Sequence, residues 1–184
     1  MTKGSFSETI KADINRYKSA AEKKISTFKC FYYFESLTII FLFRLIQRLN
    51  KLKIPFLPTL LKFIYKNISI LLGIHINLSA KIGKGFYINH YGGVFIGPVE
   101  IGENCSIFHQ VTIGQGGLAT DRESIPRLGD NVWIGPGAKI FGKIKIGNSV
   151  SIGANSVVSK DILDNAVVSG NPGRVVGFVE ERSN

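Results

Sequence analysis

The chain has 184 residues, 45% hydrophobic and 20% charged, a balance that reads as globular and is long enough for one solid core with an appendage. Its formal charge of +10 is uneven: residues 1–72 hold 13 Lys/Arg against 4 Asp/Glu, whereas residues 73–184 hold 10 against 9. Two cysteines, Cys30 and Cys105, are too few for a disulfide scaffold and lie outside any CxxC or metal-type spacing, which points to a reducing, cytoplasmic location.

Glycine divides the chain in the opposite sense, since only Gly4 precedes position 73 and the other 19 follow from Gly73 onward. The expected organisation is a basic helical region over 1–72, a repeat domain over 73–179 and a short tail over 180–184. The first thirty residues lack the continuous apolar core and small-residue cleavage site of a secretory signal. In the helical region, Ile10, Ile14, Tyr17, Ala21, Ile25 and Phe28 recur at three- and four-residue steps and predict a helix over 6–29. A second helix is expected from Phe31 to about Leu52. Glu35 and Arg44 interrupt its apolar run, which falls short of the ~20 residues a spanning helix needs. Pro55 and Pro58 then punctuate the chain before a third helix, from Thr59 to about Leu72. Such a region reads as a cap on the rest of the fold. Its basic face with Phe and Tyr alongside also suits a peripheral contact with the inner face of the plasma membrane. No nucleic-acid motif accompanies the charge, so nucleic acid is not an expected partner.

Beyond Gly73 a different period takes over. An aliphatic residue returns every sixth position at Leu128, Ile134, Ile140, Ile146, Ile152 and Val158, and upstream at Ile76, Ile82, Ile88, then Ile101, Ile107, Ile113. One extra residue lies between Ile88 and Ile101, and the gap from Ile113 to Leu128 holds one hexad plus a nine-residue loop. A six-residue period fits neither a 3.6-residue helix nor a hairpin meander. It fits short strands and tight turns wound around a prism, each aliphatic residue pointing inward and a small residue easing the corner beside it.

The hexads Ile134-Gly-Pro-Gly-Ala-Lys139, Ile146-Gly-Asn-Ser-Val-Ser151 and Ile152-Gly-Ala-Asn-Ser-Val157 resemble those of the hexapeptide-repeat acyltransferases. The closing segment from Ser169 to Gly177 is similar to that family's C-terminal signature. The resemblance covers about 74–179 and implies a left-handed parallel β-helix with three hexads per coil, assembled as a homotrimer. Within the family, Ala80-Lys-Ile-Gly-Lys-Gly-Phe-Tyr-Ile-Asn-His90 is similar both to serine acetyltransferases and to acetyltransferases of bacterial exopolysaccharides of the colanic-acid type.

There are three histidines, His75, His90 and His109. Acyl transfer from a thioester to a hydroxyl needs a general base, and imidazole titrates in the right range. His90 lies two residues after inward Ile88, and His109 two after Ile107. Three hexads make a coil, so both fall on one face of adjacent coils about 4.8 Å apart. In the serine-type pattern the catalytic histidine occupies the position of His90; His109 is expected to orient it or to contact the acceptor. Three positions depart from that pattern. His75 stands where the supporting carboxylate would be, Asn89 replaces the acidic residue before the histidine, and the loop Asp121-Arg-Glu-Ser-Ile-Pro126 lacks a histidine. With His75 and Asn89 lining the acceptor site, these departures point away from a small zwitterion and towards a sugar hydroxyl of a surface polysaccharide or its precursor. Serine O-acetylation is the alternative.

The implied donor is acetyl-CoA, lying between adjacent β-helices, with no metal expected. Positions matching the donor contacts are Pro136, Ala154, Ser159, Lys160 and Arg174; the two cations would meet the nucleotide phosphates. Gly116 and Gly117 open the long loop and are candidate backbone donors to the developing oxyanion. Two further readings are a zinc trimer of the carbonic anhydrase type, which the spacing of the histidines disfavours, and a non-enzymatic scaffold.

Overall fold

The structure is a computed structural model, and it describes residues 5–21, 24–52, 57–116 and 124–179. Four helices come first: α1 (Phe6–Ala20), α2 (Thr27–Tyr33), α3 (Glu35–Lys51) and α4 (Leu57–Leu72). Ser5 and Glu8 form a reciprocal capping box that starts α1. The helix expected over 6–29 instead ends at Ala20, and Ser26 starts α2 afresh by accepting the Lys29 N–H at 3.3 Å. The helix expected from Phe31 to Leu52 also divides. Phe34 leaves helical geometry to set its ring edge-on against Tyr17, at 5.2 Å between centroids, and α3 departs from α2 at 110°. No single helix among the described residues is long and apolar enough to cross a membrane. The third helix begins at Leu57, so Pro58 sits in its first turn, where its missing N–H costs nothing.

The strands then wind in coils. The first coil is β1 (Ile74–Ile76), β2 (Lys81–Ile82) and β3 (Tyr87–Asn89), and the second is β4 (Val94–Ile96), β5 (Glu100–Ile101) and β6 (Ser106–Phe108). The third is β7 (Thr112–Gly114), β8 (Arg127–Leu128) and β9 (Trp133–Ile134); the fourth is β10 (Lys139–Phe141), β11 (Lys145–Ile146) and β12 (Ser151–Ile152). β13 (Val157–Val158) and β14 (Ala166–Ser169) follow, and β15 (Arg174–Phe178) returns antiparallel to β14. Strands three apart pair in parallel as far as β13, and β12 pairs with β14, giving three sheets: β1-β4-β7-β10-β13, β2-β5-β8-β11, and β3-β6-β9-β12-β14 with β15 at its edge. This is the expected parallel β-helix behind a helical region.

The hexad aliphatics form three internal columns. Ile76, Ile96, Ile113, Ile140 and Val158 are in register on the first sheet. On the second, Ile82, Ile101, Leu128, Ile146 and Ile162 align; on the third, Ile88, Ile107, Ile134, Ile152 and Val168 do. All fifteen are buried, each contributing about 1.5–3 kcal/mol by leaving water. The one-residue irregularity between Ile88 and Ile101 resolves into two: the corner after Ile88 is two residues longer than a hexad step, and the corner between Ile96 and Ile101 is one shorter. The extra length falls at His90–Gly93.

A β-helix leaves a row of unpaired backbone groups at its first coil. Here side chains from the helices satisfy them. Tyr65 donates to the Ile76 carbonyl at 2.7 Å, Gln47 to Ala80 at 2.8 Å, and Arg44 to Ile82 and Gly83. Asp13 accepts the Phe86 N–H at 3.0 Å, Tyr17 accepts that of Ile88 at 3.0 Å, and Ser36 donates to the Ile88 carbonyl at 2.8 Å. The helices thus take the place of a preceding coil, and a single hydrophobic core runs from Tyr17 and Phe43 through to Val168.

Candidate functional site

The corner joining the third sheet to the first carries two of the three histidines, His90 and His109. In the later coils it turns through a left-handed residue three positions after the inward aliphatic: Gln110 (φ 59°), Gly137 (φ 74°) and Asn155 (φ 56°). In the first coil the longer corner brings the left-handed position one residue earlier, to His90 itself (φ 64°). Backbone rungs stack these corners, with Gln110 N–H donating to Gly92 O at 2.8 Å, Gly137 N–H to His109 O at 3.0 Å and Asn155 N–H to Pro136 O at 2.9 Å. His90, His109, Pro136 and Ala154 therefore lie along one edge of the prism.

His90 is exposed at the top of this edge. Its ring meets that of His109 edge-on, 5.8 Å between centroids and 65° between planes. His109 is half-buried, and its Nδ1 is buried with no hydrogen-bond partner. The strand that delivers His90 is fixed from behind: Ile88 is held at both N–H and C=O by Tyr17 and Ser36. Tyr17 also stacks edge-on against Tyr87 at 4.6 Å, and Tyr87 donates its hydroxyl to Asn89 Oδ1 at 3.1 Å. Burial pushes the phenols of Tyr17 and Tyr87 above their ordinary range, so both remain neutral donors. Sequence reasoning missed this support. Its only trace was Tyr87 two residues before Asn89, on the same face of one strand.

The other expected site residues are spread more widely. His75 stands on the outer face of β1, stacked on Phe95 with centroids 5.1 Å apart and planes 13° apart. Among the described residues no three His, Cys, Asp or Glu side chains are placed to share a metal ion. Pro136 and Ala154 form a low ledge below His109 on the same edge. Ser159 and Lys160 are exposed beyond β13. Arg174 begins β15 opposite Ser169, and the neighbouring Gly173 N–H donates to Val157 O at 2.7 Å, which holds Arg174 close to the end of β13. Gly116 lies after β7 at a different corner, and its N–H is taken by the Ser124 carbonyl at 3.1 Å. A Cβ there would come within 2.7 Å of Gly142 Cα, so this glycine serves a close backbone approach. Gly117, Asp121 and Glu123 lie outside the described residues.

Residues 126–160 match the family described as Bacterial transferase hexapeptide (six repeats). The serine acetyltransferase of Synechococcus elongatus is 36% identical over 158 residues, 85% of this chain and 62% of that protein. That of Mycobacterium tuberculosis is 46% identical over 109 residues, 59% of this chain and 47% of that protein. A soybean serine acetyltransferase solved in complex with serine superposes with a TM-score of 0.81 at 31% identity, covering 94% of this chain and 70% of that one. The chain belongs to the bacterial transferase hexapeptide family. Measured against the curated serine acetyltransferases above, this hexapeptide-family chain spans about three fifths or less of their length.

These likenesses overturn the expectation of a polysaccharide acceptor, together with the colanic-acid-type resemblance behind it. That expectation rested on three missing side chains around His90. A missing carboxylate removes one way of holding an ammonium group without supplying a reason for a sugar to bind. The similarity to serine acetyltransferases, in contrast, runs through the helices and the coils alike.

Proposed function

We propose that the protein is an acetyl-CoA-dependent serine O-acetyltransferase with His90 as its general base. The observation that carries this reading is the likeness, over 94% of the chain, to an enzyme solved with serine bound. The geometry supports it: an exposed imidazole on a rigid corner, backed by a second imidazole and rising above a ledge of small residues. In the reaction His90 takes the proton of the seryl hydroxyl as that oxygen attacks the thioester carbonyl. The C–S bond then breaks, and the imidazolium returns the proton to the departing thiolate, leaving O-acetylserine and free coenzyme A.

In this reading three chains assemble side by side, and acetyl-CoA lies between adjacent β-helices along the His109–Pro136–Ala154 edge. Ser159, Lys160 and Arg174 meet the nucleotide end, where the two cations match its phosphates. Asn89 and His75 face the acceptor, and neither supplies a carboxylate for the seryl ammonium. The reading places the protein in the cytoplasm, where both substrates are available.

The test is thiol release from acetyl-CoA with serine as acceptor. Serine-dependent turnover that His90→Asn abolishes is the expected result. Turnover with another hydroxyl compound but none with serine would overturn the acceptor while leaving the base in place. Full turnover by His90→Asn would overturn the base.

A further inference from the structure

Helix α4 is apolar on its outward side as well as its inward one. One side, with Pro58, Leu61, Tyr65, Ser69 and Leu72, packs inward, and Tyr65 reaches the Ile76 carbonyl. The opposite side carries Leu57, Leu60, Phe63, Ile64, Ile70 and Leu71, all exposed; Phe63 is 67%, Ile70 71% and Leu71 82% accessible. With 3.6 residues per turn these six fall on one arc, which Asn67 alone interrupts with its amide turned back to the Phe63 carbonyl at 2.8 Å, and exposed Lys62 and Lys66 line one border of it. A scattered exposed leucine is ordinary, but a helix-long apolar stripe rimmed by cations is the anatomy of an interaction surface.

We propose that this face of α4 lies on an anionic lipid surface, its apolar side chains among the acyl chains and its lysines at the headgroup phosphates. Charge selects the occupant. Lys62 and Lys66 border the face and α4 carries no acidic residue, so a second copy docking through the same face would set lysine against lysine. An anionic bilayer is complementary instead, and each basic residue near it adds to binding. Length fixes the mode. Sixteen residues rise about 24 Å, less than the ~30 Å of a bilayer core, so the helix lies in the plane of the interface and does not span it. The inference is independent of the acceptor assigned above.

The experiment is flotation of the full chain with phosphatidylcholine vesicles, with and without phosphatidylglycerol, at low and high salt. The expected result is flotation with the anionic vesicles, weakened by salt. It should be lost in Phe63→Ser/Leu71→Ser and weakened roughly fivefold per lysine in Lys62→Gln/Lys66→Gln. Because the altered side chains are exposed, both variants keep the far-UV spectrum and the turnover of the unaltered protein. Absence of flotation with anionic vesicles overturns the proposal. So does equal flotation of the serine variant. A fall in the mass of that variant by light scattering, without flotation of the unaltered protein, overturns it too and assigns the face to a second copy.

Discussion

The imidazole of His90 stands edge-on to that of His109, 5.8 Å between centroids, because the corner carrying His90 stacks directly on the corner carrying His109. Neither ring has a carboxylate among its ring or hydrogen-bond partners in the described residues. The pair sits on backbone held from both sides, by the coil below and by Tyr17 and Ser36 behind.

This arrangement dictates how His90 should be replaced. Its φ of 64° is left-handed, where an ordinary side chain is strained by about 1–2 kcal/mol and asparagine is tolerated. His90→Asn keeps the turn and removes the imidazole, so under the proposed function turnover should fall by ~10²–10⁴ with little change in melting temperature. His90→Ala should lose the same activity and also melt several degrees lower. Equal melting of the two variants would show that the corner relaxes without cost.

The prism was legible in the sequence because its signal is periodic. Ile134, Ile140, Ile146 and Ile152 advance by equal steps, as residues do that turn inward from three sheets in succession. What periodicity cannot show is where a corner lengthens. Ile96 lies off the six-residue grid, so the two-residue excess at His90–Gly93 and the short step at Gly97–Pro98 were read together as one insertion. The helical breaks were hidden for a different reason. Phe34 looks like any apolar helix residue, and it leaves the helix for a tertiary contact with Tyr17. The acceptor was least legible, because it depends on what three absent side chains fail to do.

His109 tests the second ring. Its buried Nδ1 has no partner, a desolvation cost of about 1–3 kcal/mol that a carbocyclic ring would not carry. His109→Phe should therefore be as stable as the unaltered protein or more so in urea denaturation. If His109 orients His90 or touches the acceptor, kcat falls in the same variant while the fold gains. Unchanged kcat alongside a gain in stability would leave His109 as packing only.

Cys105 bears on the thiol-release measurement itself. Burial pushes its thiol up to about 11, and its Sγ sits 3.2 Å from the Gly129 carbonyl. A raised thiol pKa means a neutral, unreactive sulfur at neutral pH, since the thiolate is the nucleophile. In the folded protein Cys105 should resist alkylation at pH 8 and react promptly once the chain is denatured. Mass spectrometry of peptides after brief iodoacetamide treatment distinguishes the two states, and rapid labelling of native Cys105 would contradict its enclosure.

Arg44 is where the helices and the first coil are joined most tightly. Its guanidinium donates to Asp13 at 3.1 Å and to the carbonyls of Ile82 and Gly83, with both charged side chains almost completely buried. Arg44→Met strands the Asp13 carboxylate, and removing one partner of a buried pair costs about 3–5 kcal/mol. In a simple pair, adding Asp13→Leu would restore most of that loss. Here it also frees the Phe86 N–H, while the two carbonyls left by Arg44 stay unpaired. The double variant should therefore recover only part of the stability, leaving about 2–3 kcal/mol unrecovered from the buried backbone groups. A double-mutant cycle by chemical denaturation measures this. Full recovery would mean that the pair neutralises itself and does not cap the coil.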